Sequence, residues 1–332
     1  MLNDEKRIIC RPRRLRRGQV MRDAVADVRL HVDNLVMPLF VREGHGLRRE
    51  VASMPGVAQM SPDVAVETMR SLGDLGVNKF ILFGVTDAEK KDAEGTASLD
   101  PGNPVNATVR LARQQRVEAL LIADLCFCEY TDHGHCGTLC DDANLTVDND
   151  ATLPRLGQQA VVLAESGCDI VAPSGMMDGQ VAAIRSALDE AKHTDTAILS
   201  YAVKYASAMY GPFRDAGEGA PSFGDRRGYQ MDYRRSREWQ TELALDEREG
   251  ADMVMIKPAA HYLDIIAQVR RASVLPVAAY HVSGEFSMIH AAAEKGYVDL
   301  REAALEVTTA IRRAGADLVL TYFAPQLARW LR

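Results

Sequence analysis

No apolar run in this sequence approaches the roughly 18 residues that a membrane span requires, so no transmembrane anchor is expected. The first residues include Asp4 and Glu5 and lack an apolar core segment, which argues against a secretory signal. Positive charge is not in excess either. With 39 Lys and Arg against 46 Asp and Glu, the formal net charge is −7, the wrong sign for a general nucleic-acid binder. Cysteine is sparse, six in 332 residues, and three of the six fall between Cys126 and Cys136. A chain long enough to bury a large core needs no disulfide framework, so a reduced thiolate site in the cytoplasm is the expectation. There is no low-complexity linker, and no Gly-rich phosphate fingerprint follows the first predicted strand.

What is present is first a charge asymmetry. The stretch Lys6 to Arg22 holds eight Lys and Arg and no acid. It reads as an arm that crosses onto the acidic surface of a sister subunit, with a solvated leader and a nucleic-acid tail as the alternatives. Second, one phrase recurs: Leu75-Gly76-Val77-Asn78, Ser166-Gly167-Cys168-Asp169, Glu249-Gly250-Ala251-Asp252 and Ala314-Gly315-Ala316-Asp317. Each copy follows a segment of helical apolar spacing and leads into a short apolar run. That pattern is a helix ended by glycine, a tight turn and a buried strand.

Such runs predict eight strands, near 35–40, 79–83, 119–124, 169–172, 197–201, 253–257, 277–280 and 318–322, with helices between them such as 63–75, 155–166, 238–249 and 300–313. Eight strands alternating with helices predict an α/β fold, a (β/α)8 TIM barrel. A doubly wound open sheet is the alternative, disfavoured by the missing fingerprint. The expected organisation is one domain over 1–332, an N-terminal arm at 1–33 and the barrel at 34–332.

In such a barrel the chemistry sits where the strands end. Those ends carry Asp124, Ser174, Lys204, Lys257, Ser283 and Tyr322. Lys257 closes the apolar run Met253-Val254-Met255-Ile256, where desolvation favours the neutral amine. A second lysine, Lys204, adds repulsion between cations. A neutral amine attacks ketones to give an imine. Cys126, Cys128 and Cys136 lie in a short polar span that suits zinc, and three ligands leave an open catalytic position. A fourth ligand from His133, His135 or Cys140 would make the site structural instead. The long segment from Tyr210 to Gln230, rich in Gly, Pro and Arg, reads as a lid whose Arg214 and Arg226 can clamp a carboxylate.

Taken in order, these segments resemble the porphobilinogen synthase (delta-aminolevulinic acid dehydratase) family. The resemblance rests on Arg11-Pro12-Arg13-Arg14-Leu15-Arg16, Ser53-Met54-Pro55-Gly56-Val57, the cysteine loop, Val171-Ala172-Pro173-Ser174, Ser200-Tyr201-Ala202-Val203-Lys204, Met255-Ile256-Lys257-Pro258-Ala259, Val282-Ser283-Gly284-Glu285 and Thr321-Tyr322-Phe323-Ala324. It implies condensation of two molecules of 5-aminolevulinate to porphobilinogen in tetrapyrrole synthesis, by a homo-octamer. It further implies that Lys204 holds the A-side substrate and Lys257 the P-side substrate. Arg214, Arg226 and Gln230 match A-side contacts, and Ser283 and Tyr322 match the hydroxyls on the P-side carboxylate. Asp124 and Ser174 match polar groups beside the lysines, with Asp124 the proton carrier. Cys126, Cys128 and Cys136 match the ligands of the zinc-using branch, and Cys140 has no ligand role. Glu242 matches the ligand of an allosteric magnesium.

Three departures stand out: Gly175 replaces a frequent Asp, Phe286 a frequent Tyr, and Asp232 to Ser236 lacks the Asn-rich pattern that precedes Glu242. Two rival functions fit the sequence less well. A lysine aldolase on a sugar phosphate needs neither a second lysine nor the cysteines. A non-catalytic zinc-binding regulatory barrel need not retain the lysines and lid arginines, and all are present.

Overall fold

The repeated glycines set the architecture. Gly76, Gly167, Gly250 and Gly315 take left-handed backbone, with φ of 88°, 97°, 103° and 126°, a region where a side chain is strained. Three copies of the phrase add a second device. The Asp169 carboxylate accepts from Leu121 N at 2.7 Å, Asp252 from Ile198 N at 2.8 Å and Asp317 from Val277 N at 3.0 Å. Each aspartate therefore satisfies an amide near the start of the strand that precedes its own in the sheet, where no ladder partner is available.

The computed structural model describes residues 10–140 and 146–332. Its strands are β1 (Leu35–Arg42), β2 (Arg48–Glu50), β3 (Ala58–Met60), β4 (Lys79–Val85), β5 (Leu120–Leu125), β6 (Ile170–Pro173), β7 (Ala197–Lys204), β8 (Met253–Lys257), β9 (Val277–His281) and β10 (Leu318–Thr321). β1 and β4 to β10 pair side by side, all parallel, and β10 pairs back onto β1, closing an eight-stranded barrel. The helices are α1 (Gln19–Ala24), α2 (Pro62–Gly73), α3 (Pro104–Gln114), α4 (Asn149–Glu165), α5 (Gln180–Glu190), α6 (Gly211–Gly217), α7 (Glu238–Glu249), α8 (Leu263–Ala272), α9 (Ser283–Glu294), α10 (Leu300–Ala314) and α11 (Ala324–Trp330). The α/β barrel expected from the sequence is the observed fold.

Local chemistry explains several helix starts. Asn103 accepts from Asn106 N ahead of Pro104, and Asp299 accepts from Glu302 N, each a side-chain cap on an orphan amide. The apolar stripe of α3 (Val105, Val109, Ala112) is buried. Aromatic rings fill the upper barrel. Phe40 lies 5.7 Å from Phe83 and 6.2 Å from Tyr322, and Phe213 of α6 meets Phe83 edge-on at 5.0 Å. Each such pair contributes about 0.5–1.5 kcal/mol beyond its buried area.

Four features differ from the sequence reading. β2 and β3 form an antiparallel hairpin that docks β3 on the end of β1. It escapes an apolar-run count because β2 is three exposed polar residues. β7 runs three residues further than expected, through a register shift between Ser200 and Val203. α4 begins six residues before Arg155, because Asp148 caps Ala151 N and Pro154 is accommodated inside the helix. The long segment after β7 contains a helix, α6. Of the expected arm, residues 1–9 lie outside the described residues, and none of residues 10–34 is buried. Among the described residues no helix is long and apolar enough to cross a membrane.

Candidate active site

Lys204 and Lys257 are register partners in the β7–β8 ladder, so the two lysines end neighbouring strands side by side. Both lysines are buried. The Lys257 ammonium is enclosed by aromatic faces: Tyr280 at 4.4 Å, Phe213 at 5.0 Å, Tyr201 at 5.1 Å and Tyr210 at 5.4 Å. Burial, and then the charge of Lys204, push its pKa down to about 7 against the pull of Asp124. Near neutrality a large share of Lys257 is therefore a free amine. Lys204 shares the Tyr201 ring, at 5.4 Å, and donates to the Ser174 carbonyl.

Asp124, in β5, stands beside this pair. Its Oδ2 accepts from Ser174 Oγ at 3.1 Å, while its Oδ1 is buried without a hydrogen-bond partner. Burial first, and then Glu129, push its pKa up to about 7, opposed by both lysines. A carboxyl that titrates near neutrality can both give and take a proton there.

The sulfurs of Cys126, Cys128 and Cys136 lie within 4.8 Å of one another, and all three residues are buried. Cys126 and Cys128 are 3.4 Å apart. Hydrogen bonds from Cys126 and Cys128 hold the Cys136 thiol well below its usual range, with Arg226 and Lys204 adding positive potential. This is the one His, Cys, Asp and Glu cluster of metal-ligand size among the described residues. The alternative fourth ligands are not part of it. His135 spends its ring nitrogens on Tyr229 Oη and the Phe223 carbonyl, each at 3.1 Å. His133 meets the Ala93 carbonyl at 3.1 Å and accepts from His135 N. Cys140 lies outside the cluster. A donor set of three soft thiols suits a thiophilic ion and leaves a position open.

The segment after β7 folds over these groups. The Arg226 guanidinium donates to the Gly134 carbonyl at 2.9 Å and the Gly219 carbonyl at 2.7 Å, tying this segment to the cysteine loop. Its Nε, and that of Arg214, have no partner. Burial and then Arg226 lower the pKa of Arg214, and both guanidiniums line one space. Asp124, Cys128, Ser174, Lys204, Lys257, Arg214 and Arg226 line a single cavity with Phe83, Glu129, Tyr210 and Phe213. Its volume is about 20 Å³, room for roughly one water.

The other expected contacts stand apart from that cavity. Ser283 Oγ accepts from Phe213 N at 2.9 Å, and Tyr322 Oη lies 3.0 Å from Tyr280 Oη. Gln230 is buried with its amide nitrogen unpartnered. With Arg227, Arg235, Asp178 and Glu238, it lines a second cavity that also holds Glu242. Burial, and then Asp178, raise the pKa of Glu242. Sequence reasoning missed the aromatic enclosure and Glu129. Glu129 was inside the cysteine loop, but nothing in the sequence brings Tyr201, Tyr210, Phe213 and Tyr280 together.

Comparison with known proteins places the chain in a family. The family model for delta-aminolevulinic acid dehydratase matches residues 9–330. A delta-aminolevulinic acid dehydratase of Streptomyces coelicolor is 52% identical over 97% of this chain and 97% of the relative. One from Synechococcus elongatus is 50% identical over 97% and 98%. The crystal structure of the Toxoplasma gondii enzyme, in complex with the reaction product porphobilinogen, superposes with a TM-score of 0.94. It is 41% identical and covers 97% of this chain and 92% of its own.

Proposed function

This chain belongs to the delta-aminolevulinic acid dehydratase family and condenses two molecules of 5-aminolevulinate into porphobilinogen, a hydro-lyase step of tetrapyrrole synthesis; we propose that Lys257 and Lys204 each hold one of the two as an imine. The observation that carries this reading is the pairing of two buried lysines in one register, one of them held near pH 7.

The Lys257 amine attacks the ketone of the P-side substrate, and the carbinolamine loses water to give the imine. Lys204 does the same with the A-side substrate. Each imine makes the adjacent carbon easier to deprotonate, and Asp124 takes or returns the proton. One carbon–carbon and one carbon–nitrogen bond form, both lysines are released, and a final deprotonation gives the pyrrole. Two waters leave overall. Arg214, Arg226 and Gln230 hold the A-side carboxylate, and Ser283 and Tyr322 the P-side one, so the reacting carbons start close together. The segment after β7 covers these groups through Arg214 and Arg226, and it acts as the lid that admits substrate.

Cys126, Cys128 and Cys136 fit zinc, which when bound supplies a Lewis-acid position open to a substrate amine or oxygen. Glu242 is the ligand of a regulatory magnesium, a role one carboxylate with retained waters can fill. A magnesium titration that gives the same response in Glu242→Ala as in wild type would refute that role. The chain forms one domain, works in the cytoplasm, where these thiols stay reduced, and assembles as a homo-octamer through its basic arm. Incubation with 5-aminolevulinate and colorimetric detection of porphobilinogen tests the reading. Lys257→Met and Lys204→Met should each abolish product, and wild-type turnover in either variant contradicts the assignment.

A further inference from the structure

The β8–β9 ladder stops at Ile256 paired with Ala279, one residue before Lys257. On its other side Lys257 is secured, since it pairs with Lys204 and its carbonyl accepts from Tyr205 N at 2.9 Å. Toward β9, what ties the chain just beyond Lys257 is a side chain, Glu285. This carboxylate is 2% exposed. Its Oε1 accepts from Ala260 N at 2.9 Å, from His261 N at 3.4 Å and lies 3.2 Å from His261 Nδ1. Its Oε2 accepts from Val282 N at 3.0 Å. A capping glutamate ordinarily serves its own helix; this one gives one oxygen to the head of α9 and the other to the turn that follows Lys257.

The junction reaches the aromatic enclosure as well. A side chain at Gly284 would bring its Cβ within 2.6 Å of the Met209 carbonyl oxygen, so the head of α9 is pressed against the turn that carries Tyr210. Ser283 Oγ meanwhile accepts from Phe213 N. Tyr210 and Phe213 are two of the four rings over the Lys257 ammonium. Burying a carboxylate is costly unless donors surround it, and here the donors lie on the turn after Lys257 and at the head of α9.

We propose that Glu285 is a positioning residue for Lys257, fixing the loop after β8 against the head of α9 so that the amine, Ser283 and the enclosing rings keep one frame. The inference rests on the reading that Lys257 and Lys204 form imines. A glutamine at 285 has one acceptor oxygen, so it can serve one loop and must turn an N–H donor toward the other.

The experiment is borohydride trapping with labelled 5-aminolevulinate, quenched early and resolved by peptide mapping, with melting temperature measured alongside. In Glu285→Gln the label on Lys257 should fall about 10- to 100-fold, the scale of a misplaced reacting group, while the label on Lys204 stays within about twofold. Glu285→Asp, which keeps the charge and both oxygens but is shorter, should recover part of the Lys257 label. It also serves if the glutamine variant does not fold. Wild-type labelling of Lys257 in these variants would overturn the proposal, as would a parallel loss at both lysines. Failure of the wild type itself to label both lysines would instead sink the imine reading beneath it.

Discussion

The low pKa of Lys257 yields a prediction with a calculable size. A lysine at its ordinary 10.5 is about 0.03% neutral at pH 7, whereas one at about 7 is about half neutral, a gain on the order of a thousandfold in reactive amine. The same shift corresponds to about 5 kcal/mol between the two protonation states. The perturbation is pH, and the probe is 4-oxopentanoate, a keto acid without the substrate's amine, so it cannot complete the condensation. Its rate of reductive trapping at Lys257, mapped by peptide, should rise with pH and level off just above pH 7. In Lys204→Met the plateau should move to higher pH, because Lys204 is the second cause of the shift. Stability carries the converse signature. The folded-state value lies below the unfolded one, so folding releases a proton, and stability rises with pH between about 7 and 10.5. Lys257→Met should therefore raise the melting temperature more at about pH 6.5 than at about pH 9.5. A trapping rate that still climbs roughly tenfold per pH unit above pH 8 would refute the reasoning.

Cys126, Cys128 and Cys136 pack with the barrel core, but none of them lies in a barrel strand. Serine at Cys126, Cys128 or Cys136 should abolish bound metal and activity while melting temperature changes little, whereas Cys140→Ser keeps both; collapse of the fold in the first three would point to a structural site. Asp124→Asn should lower turnover by about 10²- to 10⁴-fold with imine trapping still detectable, and near-normal turnover would exclude Asp124 as the proton carrier. Removal of residues 1–33 should give smaller assemblies by light scattering, and an unchanged size would count against the arm.

The sequence disclosed the barrel because its αβ turns repeat. Glycine before a buried strand is a local signal, and Gly76, Gly167, Gly250 and Gly315 each sit where left-handed backbone is required. The partner of the repeated aspartate was not legible. That Asp252 reaches Ile198 N depends on which strand lies beside β8, and adjacency is not written in either segment. Hidden for the same reason was the enclosure of Lys257, since its four rings come from β7, the turn after it, α6 and β9. The lysines themselves were legible, because a lysine closing an apolar run is conspicuous. Lys204 appeared to lie past its strand, yet the register shift after Ser200 carries β7 on to meet Lys257. The choice between three and four metal ligands depended on the tertiary structure, which sets the His135 ring against Tyr229 and Phe223 of the lid and the His133 ring against the Ala93 carbonyl and the His135 amide.

In the proposed mechanism two lysines each carry one substrate. Rapid mixing of the wild-type protein with 5-aminolevulinate, a borohydride quench during turnover and mass analysis of the peptides containing Lys204 and Lys257 tests it directly. Substrate-derived mass is expected on both peptides. Label on other lysines alone, or none while porphobilinogen is being formed, would contradict it.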